Sequence, residues 1–301
     1  MRVLITGAGG FCGRYLRQFL AREEIEFRTV STRQDSPADY RLPELSEQAL
    51  RSVLSDCNPT HVIHLAGSSS GKSLYEFYEP NVLYAVHLLD ALRETGFESV
   101  PVLLIGTAAE YGFIASEEAL PITEELSPNP CTAYGISKLA QTRLGLFEAS
   151  RGRNVVIARP FNLLGQGMPS HLVFPSFVRQ IQEARETSGK CKIRVGNLSS
   201  ARDFVPASVA VRFMWSLITE PRAYGQVVNI CSGVPRTVQS LLDKLIELAG
   251  IPCEVEIDPS LFRENDTPVH YGCRRKLEDL VGELKVSDEA WEELFVQTLG
   301  R

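Results

Sequence analysis

Val3-Leu-Ile-Thr-Gly7-Ala-Gly-Gly10-Phe-Cys-Gly13 decides the fold of this chain. A short apolar run, Val3 to Ile5, leads into glycines spaced Gly7-x-x-Gly10-x-x-Gly13, and helical apolar spacing follows from about Arg14 to Arg22. Strand, glycine loop and helix in that order are the setting in which this spacing marks a dinucleotide-binding turn. Gly7 permits the tight turn, Gly10 lets the backbone approach a pyrophosphate, and Gly13 lets helix and strand pack closely. The helix N-terminus adds free N–H groups and the positive end of its dipole. Gly7, Gly10, Phe11 and Gly13 are the residues this reading places around the pyrophosphate.

The same grammar repeats downstream. Phe27-Arg-Thr-Val30, His61-Val-Ile-His-Leu65, Pro101-Val-Leu-Leu-Ile105 and Asn154-Val-Val-Ile-Ala158 are apolar runs of strand length. Helical stretches over Glu47 to Leu54, Leu83 to Arg93 and from near Thr132 separate them. Such alternation predicts an α/β fold, a doubly wound parallel sheet of Rossmann type covered on both faces. After Arg159-Pro160 the pattern changes. Gly-, Pro- and Ser-rich loops at 165–170 and 196–200 interrupt shorter elements, with a return strand at Gln226 to Ile230 and a last helix near Glu289 to Leu299. The expected organisation is a nucleotide-binding Rossmann domain over 1–167, with return segments near 205–235 and 268–278. A smaller mixed α/β lobe over 168–301 would bind substrate.

At 301 residues, 44% hydrophobic and 23% charged, the chain has the length and composition to bury a full core. A net charge of −6 disfavours nucleic acid or an anionic membrane as partner, although a few local arginines suffice for an anionic substrate. The seven cysteines are scattered without a C-x-x-C pair. Neither a disulfide framework nor a metal site is therefore expected, and reduced thiols in a cytoplasmic protein are. No apolar run approaches the ~20 residues of a membrane span, and the first strand begins too early for a signal peptide.

Tyr134-Gly-Ile-Ser-Lys138 carries the chemistry. Positions i and i+4 share one helix face, so the Lys138 ammonium is expected beside the Tyr134 phenol. An adjacent cation favours the ionised form of a phenol and tunes it for proton exchange with an alcohol or ketone oxygen. Next to a dinucleotide loop, that reads as hydride transfer to or from a carbonyl. Strand two ends in Ser31-Thr32-Arg33, with no acid until Asp35. An acid there would hold the ribose hydroxyls of NAD, whereas an arginine accommodates a 2′-phosphate. NADP(H) is the favoured cofactor, with Arg33 and Ser31 on the phosphate; NAD(H) stays open.

These residues resemble the extended short-chain dehydrogenase/reductase family, whose members act mostly on nucleotide-sugars. The resemblance extends to His64-Leu-Ala-Gly67, Asn81-Val82 and Arg159-Pro-Phe-Asn162. It implies that Leu65 and Ala66 border the nicotinamide side of the cofactor and that Asn162 contacts a substrate diphosphate. It also implies that Thr107, four residues before Tyr111, completes a catalytic set with Tyr134 and Lys138. Dehydratases of the family carry an acid two residues before that tyrosine; here Ala108 and Ala109 stand in its place. Glu110 is offset by one residue, which on a strand turns it to the opposite face. Dehydration is therefore not expected.

Gly196-Asn-Leu198-Ser-Ser-Ala-Arg202-Asp-Phe204 is similar to the GDP-mannose-dehydratase-like branch and implies that Arg202, with Arg263, pairs with the substrate diphosphate. Two positions depart from the family: the turn after Val205 lacks an acid, and Pro43 replaces a residue that reads adenine. The resemblance implies NADPH-dependent reduction of the C4 ketone of a GDP-4-keto-6-deoxyhexose, of the GDP-rhamnose-forming type, by a homodimer. A NAD-dependent 4-epimerase and a non-enzymatic NADP-sensing protein remain open.

Overall fold

The computed structural model of the chain describes residues 1–33, 37–42, 44–114, 116–186, 191–262, 267–283 and 286–300. Its strands in chain order are β1 (Arg2–Thr6), β2 (Glu26–Ser31), β3 (Tyr40–Arg41), β4 (His61–His64), β5 (Val102–Ile105), β6 (Val155–Pro160), β7 (Asn162–Leu164), β8 (Cys191–Val195), β9 (Ala201–Pro206), β10 (Val227–Ile230), β11 (Pro235–Thr237), β12 (Cys253–Ile257) and β13 (Val269–His270). The α-helices are α1 (Phe11–Arg22), α2 (Glu47–Cys57), α3 (Leu74–Tyr78), α4 (Tyr84–Glu94), α5 (Ala133–Ser150), α6 (Val173–Glu186), α7 (Ala207–Ile218), α8 (Val238–Ala249), α9 (Arg275–Val281) and α10 (Asp288–Leu299).

Seven strands form one sheet in the order β10-β6-β5-β4-β1-β2-β3, every pairing in it parallel. Successive residues of a strand face opposite sides, and both sides are buried here. Val3, Ile5, Ile63 and Leu103 face a core shared with α1 and α7, while Leu4, Val62 and Leu104 face one shared with α2 and α4. That is why these strands read as unbroken apolar runs. The return strand closes the sheet as β10 on the far side of β6, with Val227 opposite Ile157.

The remaining strands form smaller units. β9 pairs antiparallel with β11 and parallel with β13 and β7, and β8 pairs with β12. Phe174, Phe177, Ile193, Leu242 and Phe295 make a separate core beneath them. Pro206 stands at the N-cap of α7 with no side-chain cap, and the first turn of that helix contains no acid.

One expectation is overturned. Cys191 and Cys253 are joined as a disulfide, with Cα atoms 4.4 Å apart. The residues lie 62 positions apart in sequence and become direct neighbours only because β8 and β12 pair with Cys253 opposite Cys191. Spacing along the chain could not show that, and one argument for a reducing compartment goes with it. Among the described residues, no helix is long and apolar enough to cross a membrane.

Candidate active site

The glycine loop is packed to its limit. A Cβ on Gly7, which has φ +71°, would lie 2.5 Å from the Ala66 nitrogen, and one on Gly13 would lie 2.4 Å from the Gly7 carbonyl oxygen. The loop is thereby pressed against Leu65 and Ala66, where the Leu65 amide donates to the Thr6 carbonyl at 3.1 Å. Gly10 differs: its nearest neighbour to a built Cβ is the Gly7 oxygen at 3.2 Å, so its outward side is open. Gly10 caps α1 without a side-chain hydrogen bond, and the first turn contains no acid. Open backbone amides at an uncapped helix start fit a pyrophosphate. Phe11 begins α1 and packs edge-on against Tyr15, ring centroids 5.5 Å apart.

At the end of β2, the Arg33 amide donates to the Ser31 hydroxyl at 3.1 Å. An acid that the sequence reading passed over, Asp39, turns back onto this strand instead of its end. Its carboxylate accepts from the Thr29 amide at 2.8 Å and the Thr29 hydroxyl at 2.7 Å. Pro43 lies outside the described residues.

Thr107, Tyr134 and Lys138 are brought together from two elements. Thr132 caps α5 by accepting from the Gly135 amide at 3.0 Å. Gly135 lets the helix approach the turn after β5, since a Cβ there would meet the Ala109 carbonyl oxygen at 2.7 Å. The Thr107 hydroxyl acts to lower the Tyr134 phenol, yet burial dominates and pushes the phenol up to about 12. Lys138 is 3% exposed, and burial pulls its ammonium down to about 8 against the raising field of Glu110. The ammonium donates to Gln141 Oε1 at 2.6 Å rather than to the phenol. Burial is thus the largest influence on the Tyr134 phenol, and Lys138 is held by Gln141.

Glu110 also needs correction. The residues after Thr107 form a 3₁₀ turn, Ala108–Glu110, in place of a strand, so alternation of faces does not apply. Glu110 is fully buried. One oxygen accepts from the Thr107 amide at 2.9 Å, and the other accepts from Arg159 Nε at 2.9 Å and Nη2 at 2.7 Å. With both oxygens engaged inside the protein, Glu110 anchors the turn that presents Thr107. A Cβ on Gly106 would fall 2.6 Å from Glu110 Oε1, so that glycine makes room for the carboxylate.

A cavity of about 430 Å³ lies among the smaller strands and is lined by Asn162, Arg202, His171, Phe174, Asn197 and Leu261 together with further apolar residues. Asn162 donates to the Asp203 carbonyl at 3.0 Å. The neighbouring Asp203 side chain turns inward and accepts from the Ser232, Gly233 and Gly272 amides at 2.7, 2.9 and 3.2 Å. The Arg202-Asp203 pair therefore splits into an arginine at the cavity and a buried clamp. Arg263 lies outside the described residues. Asn81, part of the resemblance in sequence but given no role there, has a structural one. This buried residue brackets Ser68, accepting from its amide at 2.8 Å and donating to its carbonyl at 2.9 Å, and also donates to Ser137 at 2.9 Å.

The fold and this site define a nucleotide-binding α/β protein with a Thr–Tyr–Lys set whose lysine is buried. Residues 3–231 match the model of the NAD dependent epimerase/dehydratase family, and the chain belongs to that family. It is 31% identical to the GDP-6-deoxy-D-mannose reductase of Pseudomonas aeruginosa over 286 residues, 93% of this chain and 91% of the relative. It is 27% identical to the GDP-6-deoxy-D-talose 4-dehydrogenase of Aggregatibacter actinomycetemcomitans, covering 94% and 92%. Its structure superposes on RMD from Pseudomonas aeruginosa complexed with NADPH with a TM-score of 0.87 and 28% identity, covering 99% of this chain and 97% of that one.

Proposed function

We propose that this chain is an NADPH-dependent reductase of a GDP-4-keto-6-deoxyhexose, giving a GDP-6-deoxyhexose. The observation that carries the reading is the meeting of Thr107, on the turn after β5, with Tyr134 and Lys138 on α5, beside a glycine loop that fits a dinucleotide. Bound NADPH would supply the hydride to C4. Tyr134 gives its proton to the ketone oxygen, so one hydride on carbon and one proton on oxygen complete the alcohol. Thr107 orients the ketone, and Lys138 with Tyr134 would hold the nicotinamide ribose. Leu65 and Ala66 lie on the loop side of the site, and Ser31 and Arg33 would hold the 2′-phosphate. Asn162, Arg202 and Arg263 take the substrate diphosphate, in the lobe formed by residues 168–301; residues 1–167 take the cofactor.

The nucleotide-sugar is supported by relatives named for GDP-6-deoxymannose and GDP-6-deoxytalose. Those two sugars differ only at C4, so a single 4-ketone underlies both. The GDP-rhamnose-type product is our reading of this chain, since rhamnose is 6-deoxymannose. A homodimer formed through α4 and α5 completes the proposal. On α5, Leu144 and Leu146 pack against the core. Leu83, Ile136 and Phe147 instead project outward, 39, 45 and 55% exposed.

The test is NADPH oxidation with GDP-4-keto-6-deoxymannose, run beside NADH and beside a dTDP-4-keto sugar. GDP-selective oxidation is expected, with NMR of the product giving the C4 configuration. No oxidation of any ketose, with nucleotide retained through purification, would overturn the reading in favour of a NAD-dependent 4-epimerase.

A further inference from the structure

Lys138 is a donor-only group placed where water is excluded, so each of its N–H bonds looks for an acceptor. Its hydrogen bond within the protein is to Gln141 Oε1, at 2.6 Å. The two residues stand at i and i+3 on α5 and share a face. Gln141 is itself only 1% exposed. Its carbonyl is committed to Lys138, and its Nε2 is buried with no partner. A leucine or methionine would fill that space without stranding an amide. Packing alone therefore does not explain a glutamine here.

The other groups facing Lys138 are engaged or uncharged. From the turn after β5, Glu110 lends its field but is paired with Arg159. From α1, Cys12 is a thiol whose burial pushes it up to about 12. From β4, His64 is kept neutral by burial, down at about 3, and packs edge-on against Tyr84 of α4. Tyr134, one turn back on α5, is a protonated phenol. Gly67 completes the wall, a Cβ there falling 3.5 Å from Nζ. We propose that Gln141 is a positioning residue for Lys138: its side-chain carbonyl holds the ammonium at the floor of the site and keeps it charged.

The inference rests on the reading of Lys138 as the cofactor- and tyrosine-facing cation, and it has its own test. Lysine ¹³Cε NMR of the unliganded protein, with Lys138 identified by its loss in K138M, follows the titration of this one ammonium. In wild type the midpoint is expected near 8. Gln141→Leu or Gln141→Met removes the acceptor and lowers the midpoint by roughly one pH unit. Gln141→Glu places a carboxylate there and raises it by roughly one unit or more. The alkaline limb of kcat moves in the same two directions, whereas a purely structural role predicts the same loss of activity in every variant and no movement. Unchanged midpoints in folded variants, or shifts of one sign in all of them, overturn the proposal.

The wild-type protein provides an arm that needs no Gln141 variant: the Gln141 side-chain amide resonances are expected to move with the Lys138 midpoint, and their indifference would refute the contact. Because these readings need no sugar, signed shifts without ketose reduction would sink the function proposed above and leave this inference standing. Reduction without shifts would do the reverse.

Discussion

Removing the Glu110 carboxylate tests how the catalytic turn is built. Glu110 is 0% and Arg159 2% exposed, and Arg159 Nε and Nη2 both donate to one Glu110 oxygen while the other accepts from the Thr107 amide. Arg159 also lies over the Tyr111 ring at 4.9 Å, so Glu110→Ala leaves a guanidinium with an aromatic face and no counter-charge. Breaking a buried pair in this way costs about 3–5 kcal/mol. The stranded Thr107 amide, at about 1–3 kcal/mol for a buried donor, pushes the loss toward the top of that range. At roughly 2 °C per kcal/mol for a chain of this size, Tm should fall by about 6–10 °C in differential scanning calorimetry. Replacing both partners, E110M/R159M, removes the uncompensated charge and should melt closer to wild type than E110A does. If E110A melts within about 2 °C of wild type, or the double variant falls further than E110A, the ion pair does not anchor the turn.

Lys138 supplies a signed pH effect. Its folded value, about 8, lies below the ordinary 10.5, so the unfolded chain holds the proton more tightly and wild-type stability rises relative to K138M between these pH values. The rise should be on the order of 3 kcal/mol; parallel pH–stability curves for the two proteins would refute it. The disulfide spans 62 residues, a loop whose closure is worth about 4 kcal/mol in the chain-entropy model. C191A/C253A should unfold at lower urea, and intact mass after alkylation should show two cysteines protected in wild type. Ile136 and Phe147 are 11 residues apart, about three helical turns, and project from one face of α5. F147E should convert a dimer to a monomer in light scattering, and a wild-type monomer would remove the α4–α5 interface from consideration.

The parts of this protein that were legible from sequence are those specified by contiguous residues. The β1–loop–α1 unit lies within residues 2–22; Gly13 is required by Gly7 and Ala8 a few positions away, and Gly7 by Leu65 and Ala66 after β4. The parallel strands announced themselves because burial on both faces leaves no polar alternation. Thr107 was found through its offset from Tyr111. Glu110 was misjudged because strand alternation was applied to a segment that had already left the strand. Yet Thr107-Ala-Ala-Glu110 is a Thr-x-x-Glu capping box, and both reciprocal hydrogen bonds of that motif form. The local signal was present, and it pointed to a turn.

What lay beyond reach was the partnering of polar groups across elements. Arg159 was quoted only as part of a motif; nothing in its neighbours shows that it meets a carboxylate 49 residues earlier in the chain. Asp203 gathers amides from Ser232, Gly233 and Gly272, and Cys191 finds Cys253, through strand register that is set only when the sheets assemble. Register in the smaller units is fixed by burial on one face at a time, and the sequence there lacks the long apolar runs of the central sheet. Lys138 is the sharpest instance. Spacing places it one turn from Tyr134, but it says nothing of dielectric, and burial is the largest influence on the proton affinity of both groups. The chemistry of the site therefore follows from the depth at which α5 is packed, which Gly135 and Gly145 permit: a Cβ on the first would meet the Ala109 carbonyl at 2.7 Å, and one on the second would meet Leu104 at 2.8 Å. Enlarging either glycine should lift the helix, hydrate Lys138 and return its ammonium toward 10.5, an outcome the same lysine NMR would read.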